Sequence, residues 1–97
     1  MEGDYADLPA IIALKHKYSF RLFVDEAHSI GAVGRTGRGV FEYFKLQPGD
    51  IDVYMGTFTK SFSSIGGYVA ADRGTIQKLR NGCYFYNFPG AVNACIA

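Results

Sequence analysis

Two short apolar-rich runs, residues 20–24 and 51–55, each stop abruptly at a polar cluster, and this constrains the fold more than any other feature of the chain. The first ends in Asp25-Glu26-Ala27-His28 and the second in Gly56-Thr57-Phe58-Thr59-Lys60. Five residues bounded by such breakers have the length of a strand, not a helix. Residues 7–18 before the first run read as a helix with Asp7 as N-cap, Pro9 in the first turn and Lys15 to Lys17 at the C-terminal dipole end. Leu8, Ile11, Ile12 and Leu14 are expected on its apolar side. A short helix is expected over residues 40–44, closed by the turn residues Gln47-Pro48-Gly49-Asp50. Gly66-Gly67 introduces a third strand at 68–71, a helix follows over 75–80, and residues 84–90 read as strand or loop. Alternation of this kind predicts an α/β fold, in which ligands bind beyond the carboxyl ends of the strands. Both polar clusters fall there.

The 97 residues are 48% apolar with seven Tyr and eight Phe, enough to bury a real core. A formal net charge of +1 gives no field that argues for nucleic acid or an anionic membrane, so small molecules are the expected ligands. Cys83 and Cys95 lack C-x-x-C spacing, and with two His they make no zinc ligand set; reduced, buried thiols are expected. No run has the length of a membrane span. Met1-Glu2-Gly3-Asp4 leads at once into Leu8-Pro9-Ala10-Ile11-Ile12, as a segment internal to a longer chain would begin.

Asp25 at one strand end and Lys60 just past the next fit the needs of pyridoxal phosphate (PLP) chemistry. That chemistry wants a lysine amine for a Schiff base and an acid to keep the pyridine nitrogen protonated. The interval between them leaves room for a crossover helix between parallel strands. Thr57, Thr59 and Ser61 offer hydroxyls to a phosphate or the cofactor. Taken singly, each residue has a plainer reading. A strand-end Asp caps a turn, a lone His is a hydrogen-bonded structural side chain, a Lys is a solvated charge, and Thr/Ser clusters are turn chemistry.

The glycine-rich stretch 29–39 invites other assignments. Gly34 to Gly39 has Walker A spacing, but Val40 stands where Lys is required. G-x-G-x-x-G fails because Val40, Phe41 and Glu42 follow Gly37-Arg38-Gly39. Gly34-Arg35-Thr36-Gly37 matches the GXXG element of KH RNA-binding modules, the rival from a non-enzyme class, although a strand-like run precedes it where that module has a helix.

Longer blocks are more specific. Asp25-Glu26-Ala27-His28-Ser29-Ile30-Gly31 through Gly39, then Met55-Gly56-Thr57-Phe58-Thr59-Lys60-Ser61-Phe62 and Gly66-Gly67-Tyr68-Val69-Ala70, resemble the conserved blocks of the α-oxoamine synthase family of PLP-dependent enzymes. Within that family the residues D-E-A-H-S-I-G and G-T-F-T-K-S-F are most similar to the lysine-bearing serine palmitoyltransferases. The sister activities are 8-amino-7-oxononanoate synthase, 2-amino-3-ketobutyrate CoA ligase and 5-aminolevulinate synthase. The resemblance covers most of residues 1–80, while 81–97 match the family poorly.

The resemblance implies part of the large domain of fold-type I PLP-dependent transferases, a mostly parallel sheet with flanking helices, in which residues 68–71 supply an antiparallel strand. It implies that Lys60 carries PLP and moves protons at the substrate α-carbon, that Asp25 pairs with the pyridinium nitrogen, and that His28 bonds the ring's 3-hydroxyl oxygen. Thr57 and Thr59 would contact the phosphate. The implied substrates are L-serine and a long-chain acyl-CoA, condensed with loss of CO2 to 3-ketosphinganine. A dimer partner subunit is implied for the full-length protein. So is an endoplasmic-reticulum membrane location in a eukaryote, through parts absent here, or a cytoplasmic one in a bacterium. Ser63 stands where the family usually has Gly, and Arg35 where close relatives often carry Pro. The upstream glycine-rich phosphate loop, the ring-stacking His and the carboxylate-binding Arg of the family are not among these residues, so the 97-residue segment alone is expected to have little or no synthase turnover.

Overall fold

A computed structural model describes residues 2–82. Its elements are α1 (Leu8–Tyr18), β1 (Phe23–Asp25), α2 (Gly39–Tyr43), β2 (Val53–Thr57), β3 (Gly67–Ala71) and α3 (Arg73–Gly82). The sheet runs β1-β2-β3, with β1 parallel to β2 and β2 antiparallel to β3. The parallel pair and the antiparallel third strand are as expected; Cys83, Cys95 and residues 84–90 lie outside the described residues.

Local chemistry starts α1 where the sequence says it should. The Asp7 carboxylate accepts from Ala10 N–H at 3.1 Å, Pro9 sits in the first turn, and Ser19 closes the helix in the left-handed region with its N–H on Lys15 O at 2.8 Å. The buried stripe differs from expectation. Leu8 and Ile12 are buried and Ile11 half-buried, but Leu14 is 48% exposed and Lys15 is buried instead. Spacing explains this: 8, 11, 12 and 15 fall on one helical face, and 14 turns away from it. Lys15 Nζ meets its burial by donating to Gly49 O at 2.6 Å and Asp50 O at 3.0 Å, and by pairing with Asp52 at 2.8 Å.

Both of the first two strands begin two or three residues later than the apolar runs suggest. Asp52 is the reason. Its carboxylate accepts from Leu22 N–H at 2.8 Å, while Leu22 O receives both Asp52 N–H and Val53 N–H, so the chains are clamped before the ladder begins. Regular pairing starts at Phe23↔Val53 and continues through Asp25↔Met55. β1 is also less buried than a central strand, since Phe23 is 58% exposed. β2 continues through Gly56 because β3 pairs with it there, Gly56↔Tyr68 and Thr57↔Gly67. The Tyr68 ring lies so close over Gly56 that any side chain at that position would collide with it.

The core lies on the sheet face that carries Val24 and Tyr54. Leu8, Ile12, Leu46 and Ile51 are buried there, with Val40, Phe41 and Phe44 packed against them. Residues 47–50 form the expected turn, with Asp50 N–H on Gln47 O at 3.1 Å and Gln47 N–H on the Asp50 carboxylate at 2.6 Å. α3 packs along β3, its first turn capped by Asp72, which accepts from Thr75 N–H at 3.0 Å.

Candidate functional site

The parallel register sets the carboxyl ends of β1 and β2 side by side, so the two polar clusters leave the sheet as neighbours. Glu26 N–H extends the ladder to Met55 O at 2.8 Å. The chain then turns sharply: Ser29 N–H and Ile30 N–H both bond Glu26 O, at 2.9 and 3.0 Å. Asp25 Oδ1 accepts Ala27 N–H at 2.9 Å, which is the turn-capping role a strand-end Asp commonly has. That bond leaves Oδ2 without a hydrogen-bond partner among the described residues.

Beyond β2 the chain forms a compact loop. Phe58 N–H bonds Gly66 O at 3.0 Å, Ser64 N–H bonds Phe58 O at 2.7 Å, and Ser63 N–H bonds Lys60 O at 2.9 Å. Asp25, His28 and Lys60 line one cavity of about 770 Å³, walled on its apolar side by Leu8, Val24 and Phe44. An acid, an imidazole and an amine from two strand ends therefore share a single space. His28 and Lys60 are exposed to it.

Thr57 and Thr59 do not line that cavity. Thr57 Oγ1 donates to Gly66 O at 3.0 Å and accepts Thr59 N–H at 3.2 Å, and the two hydroxyl oxygens lie 2.8 Å apart. Ser61, read from the sequence as a hydroxyl for a phosphate or cofactor, is used otherwise: its Oγ donates to Ile30 O at 2.5 Å.

Glu26 is the residue to which sequence reasoning gave no role. It is buried, and its Oε2 accepts from Ser29 Oγ at 3.2 Å and from Val40 N–H, at the start of α2, at 3.3 Å. Tyr68 Oη approaches its other oxygen at 3.5 Å. One carboxylate thus ties the turn after β1 to α2 and reaches toward β3. The signal available was an acidic pair at a strand end, of which only one member can serve as a turn cap.

The glycine stretch is closed on itself. Gly31 N–H bonds Gly37 O at 2.8 Å and Gly39 N–H bonds Val33 O at 2.9 Å. The Glu42 carboxylate accepts from Thr36 N–H at 2.9 Å and Thr36 Oγ1 at 3.0 Å within the GXXG element, and from Arg38 N–H just past it at 3.3 Å. The Thr36 N–H, with help from the Thr36 hydroxyl and Arg38, holds the Glu42 carboxyl below the usual carboxylate range. A negative charge already occupies the donors that an RNA phosphate would need. The element also follows β1 and a hydrogen-bonded turn rather than a helix, so the RNA-clamp alternative has no geometric support.

Known proteins share this chain's sequence pattern and its fold. The pattern of the family "Aminotransferase class I and II" matches residues 1–97. Serine palmitoyltransferase 2 of Dictyostelium discoideum is 55% identical over 97 residues, all of this chain and 20% of its own length. Serine palmitoyltransferase 3 of Homo sapiens is 60% identical over 80 residues, covering 82% of this chain and 14% of its own. A solved serine palmitoyltransferase from S. paucimobilis, with PLP and myriocin bound, superposes with a TM-score of 0.81 at 38% identity, over 95% of this chain and 23% of its own. The chain therefore spans a fifth or less of the length of these two curated relatives. With its family pattern matched from end to end and its mixed sheet reproduced in a solved relative, the chain belongs to the class I and II aminotransferase family.

Proposed function

We propose that this chain forms the cofactor-lysine part of a PLP-dependent acyltransferase that condenses L-serine with a long-chain acyl-CoA, releasing CoA and CO2 and giving 3-ketosphinganine. The observation that carries the reading is the shared cavity of Asp25, His28 and Lys60 at the ends of two parallel strands. The residues fit the group: an acid suits a pyridinium nitrogen, an imidazole a phenolic oxygen, an amine an aldehyde, and the cavity has room for the ring. The relatives named serine palmitoyltransferase support the substrate class.

When bound, PLP supplies an electron sink for negative charge at the substrate α-carbon. Lys60 would hold the cofactor and then move a proton at that carbon. Asp25, through its carboxylate charge, would keep a proton on the ring nitrogen, because an adjacent anion favours the protonated cation. His28 would orient the ring by a hydrogen bond to the 3-hydroxyl oxygen. Thr57, the last residue of β2, and Thr59 just beyond it would offer hydroxyls to the phosphate in exchange for their bonds to each other and to Gly66 O. The proposal includes a second subunit in the full-length protein and, in a eukaryotic cell, an endoplasmic-reticulum setting. Among the described residues no helix is long and apolar enough to cross a membrane.

The test uses the full-length protein that contains this segment, loaded with PLP and given palmitoyl-CoA with labelled serine, glycine or alanine in parallel. Formation of 3-ketosphinganine from serine supports the reading. Product from glycine or alanine alone assigns the site to a sister synthase and overturns it.

A further inference from the structure

Ser61 lies next to the cofactor-lysine candidate, does not line the cavity, and spends its hydroxyl on the opposite loop. Its partner, Ile30 O, belongs to the residue whose N–H closes the turn containing His28 by donating to Glu26 O, and Ile30 bridges Arg38 on its other side. The two loops are also in close contact. A Cβ at Gly31 would stand 2.5 Å from Ser61 Oγ, 2.9 Å from Ser61 Cβ and 3.2 Å from the Phe62 ring, and Gly31 has φ +78°. Only glycine fits there without displacing the lysine loop.

We propose that Ser61 is a positioning residue: its hydroxyl docks the Lys60 loop onto the Asp25–His28 turn and so sets where the amine stands relative to the acid and the imidazole. The inference rests on the reading that Lys60 carries PLP, and adds a determinant of how fast and in what protonation state it does so. Each loop is closed by backbone bonds of its own, Ser64 N–H to Phe58 O and Phe58 N–H to Gly66 O on one side, Gly31 N–H to Gly37 O on the other. Removing the hydroxyl therefore leaves both loops folded and frees one relative to the other. Ser61 is itself exposed, so its truncation opens no core cavity.

The experiment compares wild type with Ser61→Ala in the full-length protein. Apo protein is mixed with PLP and the visible band of the lysine-bound cofactor is followed in time and against pH, with thermal melting recorded beside it. Loss of one hydrogen bond at this joint is expected to slow band formation roughly 5-fold and to move its pH midpoint by about 0.5 unit or more, with the melting temperature unchanged. Three results overturn the inference: wild-type rate and midpoint in Ser61→Ala, a rate loss that only tracks a fall in melting temperature, or no band in wild type. The last also removes the PLP reading; the first two leave that reading standing.

Discussion

Lys15 Nζ sits 2.8 Å from Asp52 Oδ2, joining the last turn of α1 to the residue that precedes β2. Asp52 also receives Leu22 N–H and the Arg21 guanidinium, so α1 and the segment leading into β1 supply three donors to one carboxylate. The Leu22 N–H first, and then Lys15, hold its carboxyl well below the usual range. A depressed folded-state value means the stabilisation is fully present above the unfolded carboxylate range and is lost as pH falls through the folded one. Melting curves of the full-length protein should show Asp52→Asn less stable by roughly 2 kcal/mol at neutral pH, with the gap to wild type closing in strong acid. An equal gap at both ends would show that charge is not what Asp52 contributes.

Ser63 occupies the left-handed region at φ +49°, which side chains other than glycine rarely adopt. A side chain there costs about 1–2 kcal/mol, which glycine relieves while losing about 0.5–1 kcal/mol to chain entropy. Ser63→Gly is expected to melt at or slightly above wild type, and Ser63→Val several degrees below it. A stabilising valine would contradict the backbone assignment of this loop.

The Tyr54 hydroxyl is buried with no hydrogen-bond partner among the described residues, and burial, with the nearby Glu26 charge, pushes its pKa up to about 12. Tyr54→Phe removes an unsatisfied polar atom and leaves the ring against Phe41. The variant should be as stable as wild type or better by about 1 kcal/mol. A clear loss would reveal a partner supplied by the rest of the polypeptide.

Asp25→Asn keeps an acceptor for Ala27 N–H and removes the charge. If that charge holds the ring proton, synthase turnover of the full-length protein should fall roughly 100-fold or more, while its melting temperature stays close to wild type. Unchanged turnover would reduce Asp25 to the turn cap it also is.

What the sequence revealed follows the range of the forces involved. α1 was legible because Asp7, Pro9 and the basic last turn are local signals. Lys15 was not legible as the buried position, since its partners at Gly49, Asp50 and Asp52 are distant in sequence. The offset of β1 and β2 has the same origin, in the Asp52–Leu22 clamp. Asp25, His28 and Lys60 could be grouped because strand ends meet in a parallel sheet and because the surrounding blocks resemble a known family. Ser61 and Glu26 could not be assigned their bonds, because Ile30 O and Val40 N–H are backbone atoms that leave no trace in residue type.

The proposed function stands or falls on Lys60 being the amine that meets the cofactor in the cavity it shares with Asp25 and His28. Borohydride reduction of the PLP-loaded full-length protein, followed by peptide mass spectrometry, reads this directly. The expected result is a phosphopyridoxyl group on Lys60, absent in Lys60→Ala; a stoichiometric label on any other lysine, or none at all, would contradict it.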